Sequence, residues 1–254
     1  MSIAEFRTLV ASNRPLAGTF MKTPSVDILE VLILSGLDFV CIDAEHAPFD
    51  RQTLNACLAL ARAADFPVLI RVASGKAENI GAALDLGAVG IVVPHVTDAD
   101  VAARVAKAAR FGHGGRGYAG STRWAGYATR KMPDLLAQSE AETVVIAQIE
   151  DPEAVEACET IAATPGIDAL FLGPADLTVA YGQTDQDCDE LHAAMARVGE
   201  ATSTHGKAYM TFVADADRAK ALRKYGFGAV FIASEHAWIL GGARAQIAGI
   251  REIE

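Results

Sequence analysis

The stretch Phe39-Val40-Cys41-Ile42-Asp43-Ala44-Glu45-His46 decides the fold: four apolar residues run straight into two acids and a histidine. The same event recurs along the chain. Val68-Leu69-Ile70 ends in Arg71, Val144-Val145-Ile146-Ala147 in Gln148-Ile149-Glu150, and Ala169-Leu170-Phe171-Leu172 in Gly173-Pro174-Ala175-Asp176. A core strand has no structural reason to finish repeatedly in charge. A barrel whose active site collects at the C-terminal ends of its strands does.

Outward from these runs, short apolar segments alternate with amphipathic ones. Strands are predicted at 16–21, 38–43, 67–72, 89–94, 143–149, 168–173, 208–213 and 228–233. They are nearly continuous in Val, Ile, Leu and Phe, as strands covered on both faces must be. Helices are predicted near 25–35, 50–64, 77–86, 98–110, 152–163, 187–204, 215–225 and 237–252. Thr97-Asp98 supplies a helix cap, and Asp151-Pro152 places an acid at an N-cap with proline at the first helical position. Alternation of this kind implies a parallel sheet with right-handed crossovers, and eight such units imply closure into a (β/α)8 TIM barrel. The whole of 1–254 reads as one such domain. The segment 111–142 breaks the rhythm. It is too long for an ordinary loop and is expected to carry short helices, as a lid or as a subunit contact.

Composition narrows the function. With 51% apolar and 21% charged residues the chain is globular, and its net charge of -10 argues against nucleic acid or an anionic membrane as partner. Cys41, Cys57, Cys158 and Cys188 lack any C-x-x-C spacing and read as reduced thiols, in keeping with a cytoplasmic protein. The N-terminus lacks the layout of a signal peptide, and no apolar run is long enough to span a bilayer.

Glu150 and Asp176 end neighbouring strands, so their carboxylates can converge, and two such groups repel unless a cation lies between them. Oxygen ligands without a cysteine pair favour a hard divalent ion such as Mg²⁺ or Mn²⁺. The bland alternative makes each an acid at a helix N-terminus. His46, flanked by Asp43 and Glu45, has the chemistry of a general base, or it simply caps the next helix. Arg71 at a core strand end requires an anionic partner, either a structural carboxylate such as Asp43 or a substrate oxyanion. Asp85 lies on a helix and by itself reads as a solvated residue. His95 ends the fourth strand as a further candidate for the wall of the site. At the end of strand eight the acid Glu235 argues against phosphate. Lys22, Lys76 and Lys207 all fall outside apolar strand termini, which favours a metal-based over a Schiff-base route.

Taken together, Asp43-x-Glu45-His46, Arg71, Leu84-Asp85-Leu86-Gly87-Ala88-x-Gly90-Ile91-x-x-Pro94, Arg116-Gly117, Gln148-Ile149-Glu150 and Gly173-Pro174-Ala175-Asp176-Leu177 resemble the HpcH/HpaI class II pyruvate aldolases, in order over nearly the whole chain. The resemblance implies a phosphoenolpyruvate/pyruvate-type barrel that releases pyruvate from a 4-hydroxy-2-oxo acid such as 4-hydroxy-2-oxoheptanedioate, as in the breakdown of aromatic compounds. By that resemblance Glu150 and Asp176 bind a divalent ion (Mg²⁺, Mn²⁺ or Co²⁺). Gln148, with Gly173, Pro174, Ala175 and Asp176, holds the pyruvate unit. His46 is similar to the family's base, Arg71 to its oxyanion stabiliser, and Asp85 to the residue that supports the base from an adjacent subunit. Related barrels exchange their last helix and assemble as hexamers, trimers of dimers. The segment Phe231-Ile232-Ala233-Ser234-Glu235-His236 departs from the family pattern. The competing readings are a citrate-lyase or malyl-CoA type lyase, an oxaloacetate decarboxylase, and a keto-acid-binding barrel without activity. The charge of -10 offers little to a CoA nucleotide, and a scaffold has no need of the set His46, Arg71, Glu150 and Asp176.

Overall fold

Strands β1 (Leu16–Met21), β2 (Phe39–Asp43), β3 (Val68–Arg71), β4 (Gly90–Val93), β5 (Val144–Ile149), β6 (Ala169–Leu172), β7 (Ala208–Val213) and β8 (Ala229–Ser234) pair in parallel in chain order, and β8 returns to β1 to close the barrel. The computed structural model describes residues 1–253. The helices are α1 (Ile3–Ala11), α2 (Val26–Leu34), α3 (Arg51–Ala63), α4 (Ala77–Leu86), α5 (Ala99–Ala109), α6 (Met132–Glu142), α7 (Pro152–Glu156), α8 (Cys158–Ala163), α9 (Pro174–Ala180), α10 (Asp189–Thr204), α11 (Ala216–Leu222) and α12 (Glu235–Arg251). Ser25, Asp50, Asp98 and Asp215 each accept the N–H three residues on, capping the helix that follows. Asp151 stands at its expected N-cap position, but its side chain makes no cap bond there.

The core has two layers because each strand presents alternate residues to two buried faces. Inward-pointing Phe20, Phe39, Phe171 and Phe231 fill the barrel with Leu69, Val92, Ile146 and Met210. Phe20 stacks on Phe231 at 4.7 Å between ring centroids, and Phe39 meets Phe231 edge-on at 5.4 Å. Gly18 is obligatory here, since a Cβ would collide with the Phe39 ring. Outward-pointing residues such as Val40, Ile42, Ile70 and Ile91 pack under the helices.

Two helices lay outside the periodicity argument. Helix α1 contributes Ile3, Phe6 and Val10 to the inner core and so plugs the N-terminal end of the barrel. Helix α9 is a short turn opened by Pro174, directly after β6. The helix expected at 152–163 breaks into α7 and α8 around Ala157. Within 111–142, Phe111 packs on a small cluster of Trp124, Ala125 and Leu135, and α6 lies against α1. Helix α6 therefore sits at the end of the barrel opposite the strand C-termini. That placement excludes a lid role for it. Helix α12 leaves the barrel: beyond Glu235 its described residues are exposed, including Ile239, Leu240, Ile247 and Ile250.

Candidate active site

A cavity of about 450 Å³ opens at the C-terminal ends of the strands. Its walls come from elements far apart in sequence: Phe20 from β1 and Lys22 just after it, His46 after β2, Arg71 from β3, Gln148 from β5, Phe171 and Gly173–Asp176 from β6 onward, and Ala233 and Ser234 from β8.

On one wall the β2–β3 register sets Asp43 opposite Arg71. The Arg71 fork donates to Asp43 through Nε at 3.0 Å and Nη2 at 2.7 Å. Asp43 Oδ1 also accepts the backbone N–H groups of Glu45 at 3.3 Å and His46 at 3.1 Å, which fixes the start of the loop carrying the histidine. Burial alone would raise the Asp43 carboxyl, but the Arg71 fork, the His46 N–H and the nearby Lys22 charge hold it below the usual range. Arg71 is only 7% exposed and lies over the Phe20 ring at 4.5 Å, so its plane is set by the barrel core beneath. Glu45 Oε2 sits 3.4 Å from Arg71 Nε and 3.6 Å from His46 Nε2 without a hydrogen bond, and burial raises its carboxyl above the ordinary value. The His46 side chain is 58% exposed and free to meet a ligand.

The facing wall is acidic. Glu150 is 4% exposed, and no lysine or arginine pairs with it among the described residues. The His95 backbone N–H donates to its Oε1 at 2.9 Å, and the Gln148 amide donates to its Oε2. His95 holds φ at +53°, a left-handed conformation uncommon outside glycine, and so aims that N–H at the carboxylate. Burial pushes the Glu150 carboxyl up, and the Asp176 and Glu45 charges add to the shift against the opposing His95 contacts. Asp151 turns from its helix to bind His95 Nδ1 at 3.0 Å, which raises the imidazole above its usual value. Gly173 leaves room for Glu150: an added Cβ would lie 3.1 Å from Glu150 Cβ and 3.5 Å from its Oε2.

These residues fit a hard divalent ion. Glu150 is a buried carboxylate whose nearest cationic group is the His95 imidazole at 3.4 Å, Asp176 is near enough to raise its pKa, and Gln148 Oε1 is buried without a partner. Among the described residues no group of three or more His, Cys, Asp or Glu converges to cage an ion. Two carboxylates that leave the remaining positions to water and substrate suit Mg²⁺ or Mn²⁺ better than zinc.

The structure thus brings His46, Arg71, Gln148, Gly173, Pro174, Ala175 and Asp176 to one cavity, with Glu150 against it. Asp85 is elsewhere. It lies on α4, is bound by Arg116 of the same chain at 2.6 Å and 3.2 Å, and lines a separate recess of about 410 Å³. Arg116 is sandwiched over Phe111 and Trp124, with Nη1 buried and unpartnered. Lys22, set aside from sequence because it follows β1, lines the cavity. Glu235 is buried beside it and accepts the backbone N–H groups of Lys22 at 2.8 Å and Thr23 at 2.6 Å. The acid Glu235 at the end of strand eight and the departure of 231–236 from the family pattern were the sequence signals near that clasp.

The model of the HpcH/HpaI aldolase/citrate lyase family matches residues 16–239. A hydroxypyruvate/pyruvate aldolase of Paraburkholderia phytofirmans is 35% identical over 245 residues, 93% of this chain and 94% of its own. A 4-hydroxy-2-oxovalerate aldolase of Novosphingobium aromaticivorans is 36% identical over 187 residues, 71% of this chain and 68% of its own. The crystal structure of an HpcH/HpaI aldolase/citrate lyase family protein from Burkholderia cenocepacia superposes with a TM-score of 0.92 at 32% identity, covering 98% of this chain and 99% of that one.

Proposed function

We propose that this chain, which belongs to the HpcH/HpaI aldolase/citrate lyase family, cleaves 4-hydroxy-2-oxo acids to pyruvate and an aldehyde in a reversible, metal-dependent retro-aldol reaction. The observation that carries the reading is Glu150: a buried carboxylate without a lysine or arginine partner, beside Asp176, across one cavity from His46 and Arg71.

Glu150 and Asp176 would hold the divalent ion, which when bound supplies Lewis-acid stabilisation of negative charge on the 2-oxo acid. The protein's own groups supply the rest. Gln148 and the chain at Gly173–Ala175 bind the pyruvate unit against the β5–β6 wall. His46 takes the proton from the C4 hydroxyl, the C3–C4 bond breaks, and the aldehyde leaves. The electron pair moves into the pyruvate half, where charge grows on the C2 oxygen, and Arg71 stabilises it from a fixed position. A proton delivered to C3 completes pyruvate. The Phe20 and Phe171 rings give the cavity an apolar lining that would keep water from the breaking bond.

Asp85 supports His46 from an adjacent subunit in this reading, with a second copy's β2 loop entering the recess beside Arg116. The apolar side chains of α12 would be covered by exchange between copies within a hexamer. A lactate-dehydrogenase-coupled assay over a panel of 4-hydroxy-2-oxo acids tests the reaction. Activity should vanish with EDTA and return with Mg²⁺, Mn²⁺ or Co²⁺. Full activity in the chelated protein, with borohydride and pyruvate trapping a lysine adduct, would overturn it.

A further inference from the structure

The β1 side of the cavity holds a cation that the mechanism above does not use. Lys22 follows β1, and its ammonium forms an ion pair with Asp43 Oδ2 at 3.5 Å without a hydrogen bond. Asp43 is already satisfied by both arms of the Arg71 fork and by two backbone N–H groups. Among the described residues the Lys22 Nζ donates no hydrogen bond, and its side chain is 36% exposed on the cavity wall. Much of the adjoining surface is apolar, from Phe20, Phe212, Ala214, Ala233 and Ala237. An ammonium bordered by apolar groups gains more from a bound anion than one in open water.

The lysine is also held in place. Glu235 is buried at the start of α12 and is occupied by the backbone N–H groups of Lys22 and Thr23, so it does not neutralise the Lys22 side chain. His236 continues the clasp through its Nε2, 2.8 Å from Thr23 Oγ1. The backbone carrying Lys22 is thus tied to the start of α12 at the rim of the cavity, whereas the tip of the side chain, beside Asp43, keeps its hydrogen-bond donors free for a ligand.

Position decides what the cation reads. In a closed ring of eight strands β1 stands opposite β5. With the pyruvate unit on the β5–β6 wall, the far part of the substrate extends toward β1. We propose that Lys22 is a specificity-determining residue, the counter-ion for a carboxylate on the aldehyde half, so that the preferred substrates are dicarboxylic. This rests on the aldolase reading for the orientation of the substrate.

The test uses ligands that cannot react. Binding of 2-oxo dicarboxylates of five, six and seven carbons is compared by calorimetry, with Mg²⁺ present, against 2-oxo monocarboxylates of equal length. In the unaltered protein at least one dicarboxylate should bind about tenfold more tightly than its counterpart. Lys22→Met should abolish that ratio and Lys22→Arg should retain it. Equal affinities at every length, or a preference that survives in Lys22→Met, would overturn the assignment. Because the readout is binding, it is separable from the aldolase reading, which stands or falls on pyruvate release.

Discussion

Gly173→Ala probes the acidic wall with a single methyl group. Gly173 has φ −88° and ψ 97°, a backbone that alanine adopts without strain, so any effect comes from contact. The new Cβ would lie 3.1 Å from Glu150 Cβ, 3.5 Å from its Oε2 and 3.6 Å from Gln148 Nε2. Comfortable carbon–carbon separation is about 3.5–4.0 Å, so Glu150 must retreat by roughly 0.5 Å. Relief of that size costs on the order of 1 kcal/mol of stability. Its functional effect should be larger, because Glu150 is pinned from two other sides by the His95 N–H and Gln148. If Glu150 is the proposed metal ligand, displacing it by a fraction of an ångström should weaken metal binding and kcat/KM by about 10–100-fold. Mn²⁺ titration followed by electron paramagnetic resonance, with circular dichroism as a folding check, measures both. A folded Gly173→Ala protein with unchanged Mn²⁺ affinity and kcat/KM would refute the role given to Glu150.

Arg71→Lys keeps the charge and loses the fork that spans Asp43, so kcat should fall by about 100-fold in a folded protein; coupled-assay turnover decides it. Asp43→Asn leaves Arg71 buried with one weakened partner and should cost about 3 kcal/mol in urea unfolding. The Asp43 carboxyl is depressed in the fold, so its contribution is present above the unfolded value and lost as pH falls through the folded one. Unfolding measured against pH should therefore show the Asn variant losing less stability on acidification than the parent. Glu150 is shifted the other way, so burial opposes its charged form at neutral pH. In metal-free buffer Glu150→Gln should raise Tm at pH 7, and a lowered Tm would contradict the assignment. Inactive His46→Ala and Asp85→Ala proteins, mixed and reassembled, should regain activity in up to about a quarter of their sites if the two residues meet across an interface. Mixed oligomers confirmed by native mass spectrometry but without activity would return Asp85 to its partner Arg116 alone.

Strand ends were legible because burial on both faces removes polar residues from a strand interior, leaving charge only where the strand meets the mouth. That logic reached Asp43, Arg71, Glu150 and, one turn further on, Asp176. It could not reach Lys22, because a lysine just past a strand looks solvated until the closing strand's Glu235 is placed beside it. Nor could it find α1, whose burial of Phe6 depends on the open bottom of a barrel not yet assembled. Helix α9 was hidden in a Gly-Pro sequence that reads as a turn. The His95 conformation left no trace either, since a left-handed histidine is dictated by the contact to Glu150 and not by local preference.

The clasp between Glu235 and the chain after β1 spans 213 residues, as does the bond from the Thr19 hydroxyl to the Ile232 carbonyl beside it. Joining segments so distant carries the largest loop-closure entropy in the barrel and depends on nearly the whole chain being present. On a ribosome the first strand must wait, its edge unpaired, until the eighth emerges. The cavity shares its wall with that seam, so assembly of the mouth is tied to the final stage of synthesis. A nascent chain that already carries Glu150 and Asp176 but lacks β8 has them without a closed chamber around them.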